Sequence, residues 1–143
     1  MRRYGFLVIV ACAFAVSAVG FASTERTPSR YNANLDTRQE VPAPKGANLR
    51  SGGSFSGKLD GNVLTWTLKF HGLTGAATAA HIHLGAKGKP GPVIVPLCGP
   101  CKSPTNGKSK LNASTISSLA DGKMYVNVHT VKNPNGEIRG QVH

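Results

Sequence analysis

Histidines at positions 81 and 83 flank a single isoleucine, and this spacing is the first chemical signal in the chain. Residues two apart on an extended strand project from the same face. Both imidazoles of His81-Ile82-His83 therefore lean toward one point, while Ile82 turns the other way. Imidazole nitrogen binds zinc or copper at roughly 2 Å. His129 supplies a third candidate from a separate segment. There Met124, Val126 and Val128 share one face, and Tyr125, Asn127 and His129 share the other. Three neutral imidazoles that leave a position open suit Cu(II) or catalytic-type Zn(II), with copper favoured. No carboxylate accompanies them, which argues against a calcium or magnesium site. His71, in the turn after a strand, is a fourth candidate at most, and the terminal His143 is read as unrelated. The plain alternative is a set of histidines that hydrogen-bond loops together without metal.

Cys98-Gly99-Pro100-Cys101 carries the letters of a redox dithiol, but that chemistry needs the first thiol at a helix N-terminus. Lys-Ser-Pro-Thr-Asn-Gly follows instead, so Cys98 and Cys101 are expected to form a small disulfide that stiffens a loop.

The elements that must position these groups read as short strands between turn signals, the pattern of an all-β sandwich. Tyr31 to Asp36 is a candidate edge strand. Ser54 to Leu59 and Val63 to Phe70 flank Asp60-Gly61, a hairpin signal, and Leu64, Trp66, Leu68 and Phe70 alternate onto one face. Thr78 to Leu84, Val93 to Leu97, Lys123 to Thr130 and Glu137 to Val142 are further strands. Residues 98 to 112 show no core signal and read as loop, and Ser114 to Ala120 as one short helical segment. Matching the apolar faces of the last two strands makes Lys132 to Gly136 the loop. It sets His129 opposite Arg139 and Asn127 opposite Gln141. Arg139 and Asn127 are thus expected to support the metal ligands or attract an anion.

At 143 residues the chain accommodates one domain. Arg2 and Arg3, an apolar run from Phe6 to Phe21 and the small-residue ending Gly20-Phe21-Ala22 read as a signal peptide over residues 1–22, cleaved near Ala22 or Ser23. The run is too short for a membrane span, so no transmembrane segment is expected after its removal. Cys12 lies inside the run rather than at a lipoprotein cleavage site. Residues 23–30 read as a flexible lead-in and 31–143 as the domain, placed in the periplasm or outside the cell. The formal charge is +11, and removing Arg2 and Arg3 leaves +9. Such an excess attracts anionic polymers or surfaces, here through loop residues Lys87, Lys89, Lys102, Lys108 and Lys110, or simply keeps the exterior solvated. No aromatic interleaving accompanies the lysines, so specific nucleic-acid reading is not expected. Asn112-Ala113-Ser114 is a glycosylation sequon only in a eukaryotic setting.

Several stretches carry a family resemblance: Ala-Ala-His-Ile-His-Leu-Gly from Ala79, Gly-Pro-Val-Ile-Val-Pro-Leu from Gly91, and Leu-Ala-Asp-Gly-Lys-Met-Tyr-Val-Asn-Val-His-Thr from Leu119. With Asn-Pro-Asn-Gly-Glu-Ile-Arg-Gly-Gln from Asn133 and Leu-Asp-Thr-Arg-Gln-Glu-Val-Pro from Leu35, they make the chain resemble a CHRD (chordin-type) domain over nearly its whole mature length. The resemblance implies an exported domain, common in bacteria as a stand-alone unit and without a well-defined activity. In the animal protein that names it, the domain accompanies growth-factor-binding modules. A more distant similarity is to copper/zinc superoxide dismutase, in the segment from Phe70 through His83, in Val128-His129 and in Gly-Glu-Ile-Arg-Gly. It implies a Greek-key β-sandwich or flattened barrel, with copper ligands at His81, His83 and His129 and an active-site arginine at Arg139. The sequence lacks a bridging histidine after His83 and a zinc-ligand set, so a dinuclear site is not implied. A copper-only dismutase is the enzymatic alternative, and a non-enzymatic binding module without metal is the other.

Overall fold

Alternating apolar and polar positions build an all-β molecule in the computed structural model, which describes residues 28–143. The strands are β1 (Ser29–Asp36), β2 (Gly52–Asp60), β3 (Val63–His71), β4 (Ala77–Leu84), β5 (Val93–Cys98), β6 (Thr105–Lys110), β7 (Met124–Thr130) and β8 (Ile138–Gln141). The helix α1 (Ala113–Ala120) and a 3-10 turn at Thr37–Gln39 complete the described elements. The signal peptide and residues 23–27 of the lead-in lie outside the described residues. Ser29 and Arg30, expected in the lead-in, already belong to β1. Among the described residues, no helix is long and apolar enough to cross a membrane.

The strands form one antiparallel sheet in the order β5-β4-β7-β8-β1-β2-β3-β6. Its two ends, β5 and β6, approach each other and nearly close a flattened barrel. β3 pairs with β6 and β4 with β7, each three strands on in the chain, which is the Greek-key connection. Phe55, Leu64, Trp66, Leu68, Ile82, Met124, Val126, Val128 and Ile138 fill the interior. The Asp60-Gly61 signal works as expected: Asp60 pairs with Val63, and Gly61 takes the positive φ of +57° that the tight turn demands. Helix α1 starts where the Asn112 side chain accepts a hydrogen bond from the Thr115 N–H at 2.8 Å, and it buries Leu119 against the core.

Three expectations are corrected. Tyr31 to Asp36 is not an edge strand, because β1 lies inside the sheet and pairs with β2 on one side and β8 on the other. Residues 98–112 are not all loop, because Thr105–Lys110 forms β6 against β3. Its composition is poor in strand formers; what qualifies it is Gly107, which lies against the Trp66 indole where a side chain would collide. The β7–β8 register also differs, by two residues. Val128 pairs with Ile138, Asn127 with Arg139, and Tyr125 with Gln141. His129 therefore does not stand opposite Arg139, nor Asn127 opposite Gln141. The shift has a physical cause in Glu137. Its buried carboxylate accepts hydrogen bonds from Thr130 Oγ1 (2.7 Å), Asn133 Nδ2 (3.1 Å) and both the N–H (2.6 Å) and hydroxyl (2.5 Å) of Thr74, which draws the two ends of the hairpin together. Burial alone would raise its pKa, but these bonds hold it below the usual carboxylate value.

Candidate metal centre

β4 turns Ala80 and Ile82 into the core and His81 and His83 outward; β7 does the same with Val126 and Val128 against Tyr125, Asn127 and His129. In the register, Ala79 faces His129, His81 faces Asn127 and His83 faces Tyr125. The small side chain of Ala79 leaves His129 room to lean diagonally onto His81. His81 Nδ1 and His129 Nε2 stand 3.1 Å apart. One ligand-capable nitrogen from each of His81, His83 and His129 lies within 4.8 Å of the others. The cluster sits outside the barrel, but it is not simply a surface cluster. His83 and His129 are each 7% exposed, and His81 is half-buried.

Backbone carbonyls fix the tautomers. His83 Nδ1 lies 3.0 Å from Gly91 O, and His129 Nδ1 lies 3.0 Å from Pro134 O. A carbonyl only accepts, so each Nδ1 carries the proton and each Nε2 keeps its lone pair. Nε2 of His83 is buried with no hydrogen-bond partner, and Nε2 of His129 accepts from His81 Nδ1. All three rings are held neutral. Burial is the largest cause for each, pushing His129 down to about 4, helped by the neighbouring histidines. His81 is lowered by burial and by His83. His83 is lowered by burial and by the charge of Arg139, against the Gly91 bond. Neutral rings with fixed lone pairs are what a metal ion requires. Two nitrogens bound at about 2 Å to one ion stand about 3.3 Å apart in a tetrahedral set and at most about 4 Å apart when opposite, so the widest pair of the cluster has to close by roughly 1–1.5 Å.

Behind the histidines lies a buried polar layer. Tyr125 stacks on His83, and the Arg139 guanidinium lies over Tyr125. Arg139 is 1% exposed and donates from Nη2 to Ala86 O at 3.0 Å. It is neither beside His129 nor open to solvent. Asn127, across the strand pair from His81, donates to Glu40 Oε1 at 3.2 Å. Sequence reasoning missed Glu40. Its signal was that only six acidic residues occur in this basic chain, and Glu40 and Glu137 both fall within the family-like stretches.

A cleft of about 580 Å³ opens onto the rings, walled by Val41, Pro42, Ala79, Pro90, Val93 and Pro134. No charged side chain lines it. His71 is exposed at the end of β3, and His143 is exposed at the terminus, so neither joins the cluster. Cys98 and Cys101 form the expected disulfide, with Cα atoms 5.3 Å apart. Of the lysines expected in loops, Lys108 and Lys110 lie on β6.

A family model described as CHRD domain matches residues 31–142. No curated protein and no solved structure gives a match.

Proposed function

The chain belongs to the CHRD domain family, and from that premise we propose that it is an exported protein holding one transition-metal ion on His81, His83 and His129. The observation that carries the reading is a buried, unpartnered Nε2 on His83 aimed among two further imidazoles, all three rings kept neutral. Copper is favoured over zinc, because an all-nitrogen set follows the order in which Cu(II) binds most tightly among the divalent ions. A bound copper would supply a Lewis-acidic and redox-capable centre. The chain's own contribution is orientation. Gly91 and Pro134 hold two tautomers ready, Tyr125 braces His83, and His81 gives up its hydrogen bond to His129 by moving its proton from Nδ1 to Nε2. An uncharged cleft leads to the open position. The disulfide between Cys98 and Cys101 is compatible with an oxidising compartment.

The reading as a metal-free module rests on the same hydrogen bonds, with the histidines serving only to fasten strands and loops. Dismutation assisted by Arg139 has less support, since that side chain is sealed behind Tyr125. Elemental analysis of protein purified from its native compartment, followed by copper and zinc titration, separates the readings. We expect one equivalent of copper, lost in the His81→Ala, His83→Ala double variant while the circular dichroism spectrum is kept. A metal-free native protein that takes up no copper, or a double variant that unfolds and still binds when refolded, overturns the proposal.

A further inference from the structure

The wall of the barrel opposite the histidines, formed by β1, β2, β3 and β6, has an outer face with an unusual charge arrangement. The register sets Arg30 directly opposite Lys58, Lys58 opposite Thr65, and Thr65 opposite Lys108, in one row across four strands. The next row is Asn32, Ser56, Thr67 and Asn106, and beyond it come Asn34, Ser54 and Lys69. Lys110 closes the face at the other end, opposite Val63. All five cations are exposed. Like charges directly opposite across a strand pair destabilise a sheet, and Arg30 and Lys58 adopt that arrangement with neither in an ion pair. Among the described residues the one ion pair is Lys123–Asp121, on another part of the molecule. Of the acids at the ends of the face, Asp36 is engaged in accepting from the Arg38 and Gln39 N–H groups, and Asp60 lies at the β2–β3 turn. A shallow recess of about 220 Å³ sits between the opposed cations, lined by Arg30, Lys58, Asn32, Ser56, Thr65 and Thr67 above the buried Trp66.

We propose that this face docks a linear anionic polysaccharide, whose acidic groups meet the Arg30–Lys58–Lys108 row and whose hydroxyls meet the Asn, Ser and Thr rows. Neighbouring strands are about 4.8 Å apart, so Arg30 and Lys58 clamp one acidic group at the recess, and Lys108, about 10 Å beyond Lys58, takes another along the same polymer. The face is sheet-flat and offers side-chain hydroxyls and amides for sugar hydroxyls. Single-stranded nucleic acid asks for exposed aromatic rings to stack its bases, and these rows carry none. The inference relocates polyanion attraction from the loops to a strand face and is independent of the metal reading.

The test measures binding of the mature protein to heparin, with neutral dextran and duplex DNA alongside. Lys58→Glu with Lys108→Glu is compared with Lys87→Glu and Lys89→Glu, which changes net charge equally on the loop before β5. We expect the strand-face double to lose at least tenfold in heparin affinity with an unchanged or raised melting temperature, since the new carboxylate on β2 would face Arg30. The loop double should stay within about threefold. Lys58→Gln with Lys108→Gln repeats the measurement without charge reversal, should the first variant fold poorly. Equal losses in strand and loop variants, heparin binding no tighter than dextran, or DNA binding as tight and with the same residue dependence would each overturn the proposal.

Discussion

Tyr125 lies flat against His83, with ring planes 12° apart and centroids 4.9 Å apart. The Arg139 guanidinium carbon sits 3.4 Å from the centre of the Tyr125 ring. Imidazole, phenol and guanidinium thus form a stack running across β4, β7 and β8, finished by Gly91, whose N–H donates to Tyr125 Oη at 3.1 Å and whose carbonyl holds His83. The stack keeps a cation fully buried without an ion pair and fixes one ring of the histidine cluster.

Replacing the ring should be costly, and removing only its hydroxyl should not. Tyr125→Leu removes an aromatic platform under a desolvated cation and is expected to destabilise by about 2–4 kcal/mol in urea unfolding. Tyr125→Phe keeps the stack and loses the Gly91 contact, at about 1 kcal/mol. Equal costs for the two would show that the stacking contributes nothing.

Gly136→Ala should weaken the β7–β8 hairpin. Gly136 has a φ of +129°, and a Cβ there would strike the Asn127 amide and the Glu40 carboxylate. Backbone strain of this kind costs about 1–3 kcal/mol, and the collision adds to it. Chemical denaturation should show the loss, and amide exchange should place the loosening at Thr130, Asn133 and Glu137.

Glu40→Gln should alter the pH dependence of stability. Burial pushes the Glu40 carboxyl from 4.5 up to about 7, against the opposing effects of the Val41 N–H, Arg139 and Asn127. The folded protein therefore keeps a proton that the unfolded chain releases. The stability Glu40 contributes is fully present below pH 4.5 and is lost as pH rises through about 7. The histidines, with lowered pKa values, act in the opposite sense and weaken the fold as pH falls below 6.5, in wild type and variant alike. Relative to Glu40→Gln, wild type should lose on the order of 5 °C in melting temperature between mildly acidic and mildly alkaline buffer. A gap that does not change with pH would show that Glu40 keeps its ordinary carboxylate value.

Reduction of the Cys98–Cys101 bridge should lower stability but leave the histidines in place. The loop it closes spans a sequence separation of 3, and the chain-entropy estimate for so short a loop is about 2 kcal/mol. The Cys98→Ser, Cys101→Ser variant is expected to melt earlier and to titrate with copper as wild type does. Loss of copper uptake would mean that the loop after β5 holds the site together.

Alternation is a property of the extended backbone, so every conclusion that needed only parity could be read from the chain. His81 and His83 share a face because they are two apart. His129 points outward because Val128 and Val126 point in. The Asp60-Gly61 turn and the core face of Leu64, Trp66 and Leu68 are legible for the same local reason. Absolute register is different. A two-residue slip of β7 against β8 leaves every side chain on its own face, so apolar matching could not choose between Asn127 and His129 as the partner of Arg139. Glu137 decided it, through hydrogen bonds to Thr74, Thr130 and Asn133 that exist only once three segments meet. β6 was hidden because its place in the sheet depends on Trp66 needing Gly107. Glu40 was hidden because its partners, Asn127 and Arg139, lie about ninety residues on. Local backbone geometry set which way the histidines face, and long-range packing decided what surrounds them.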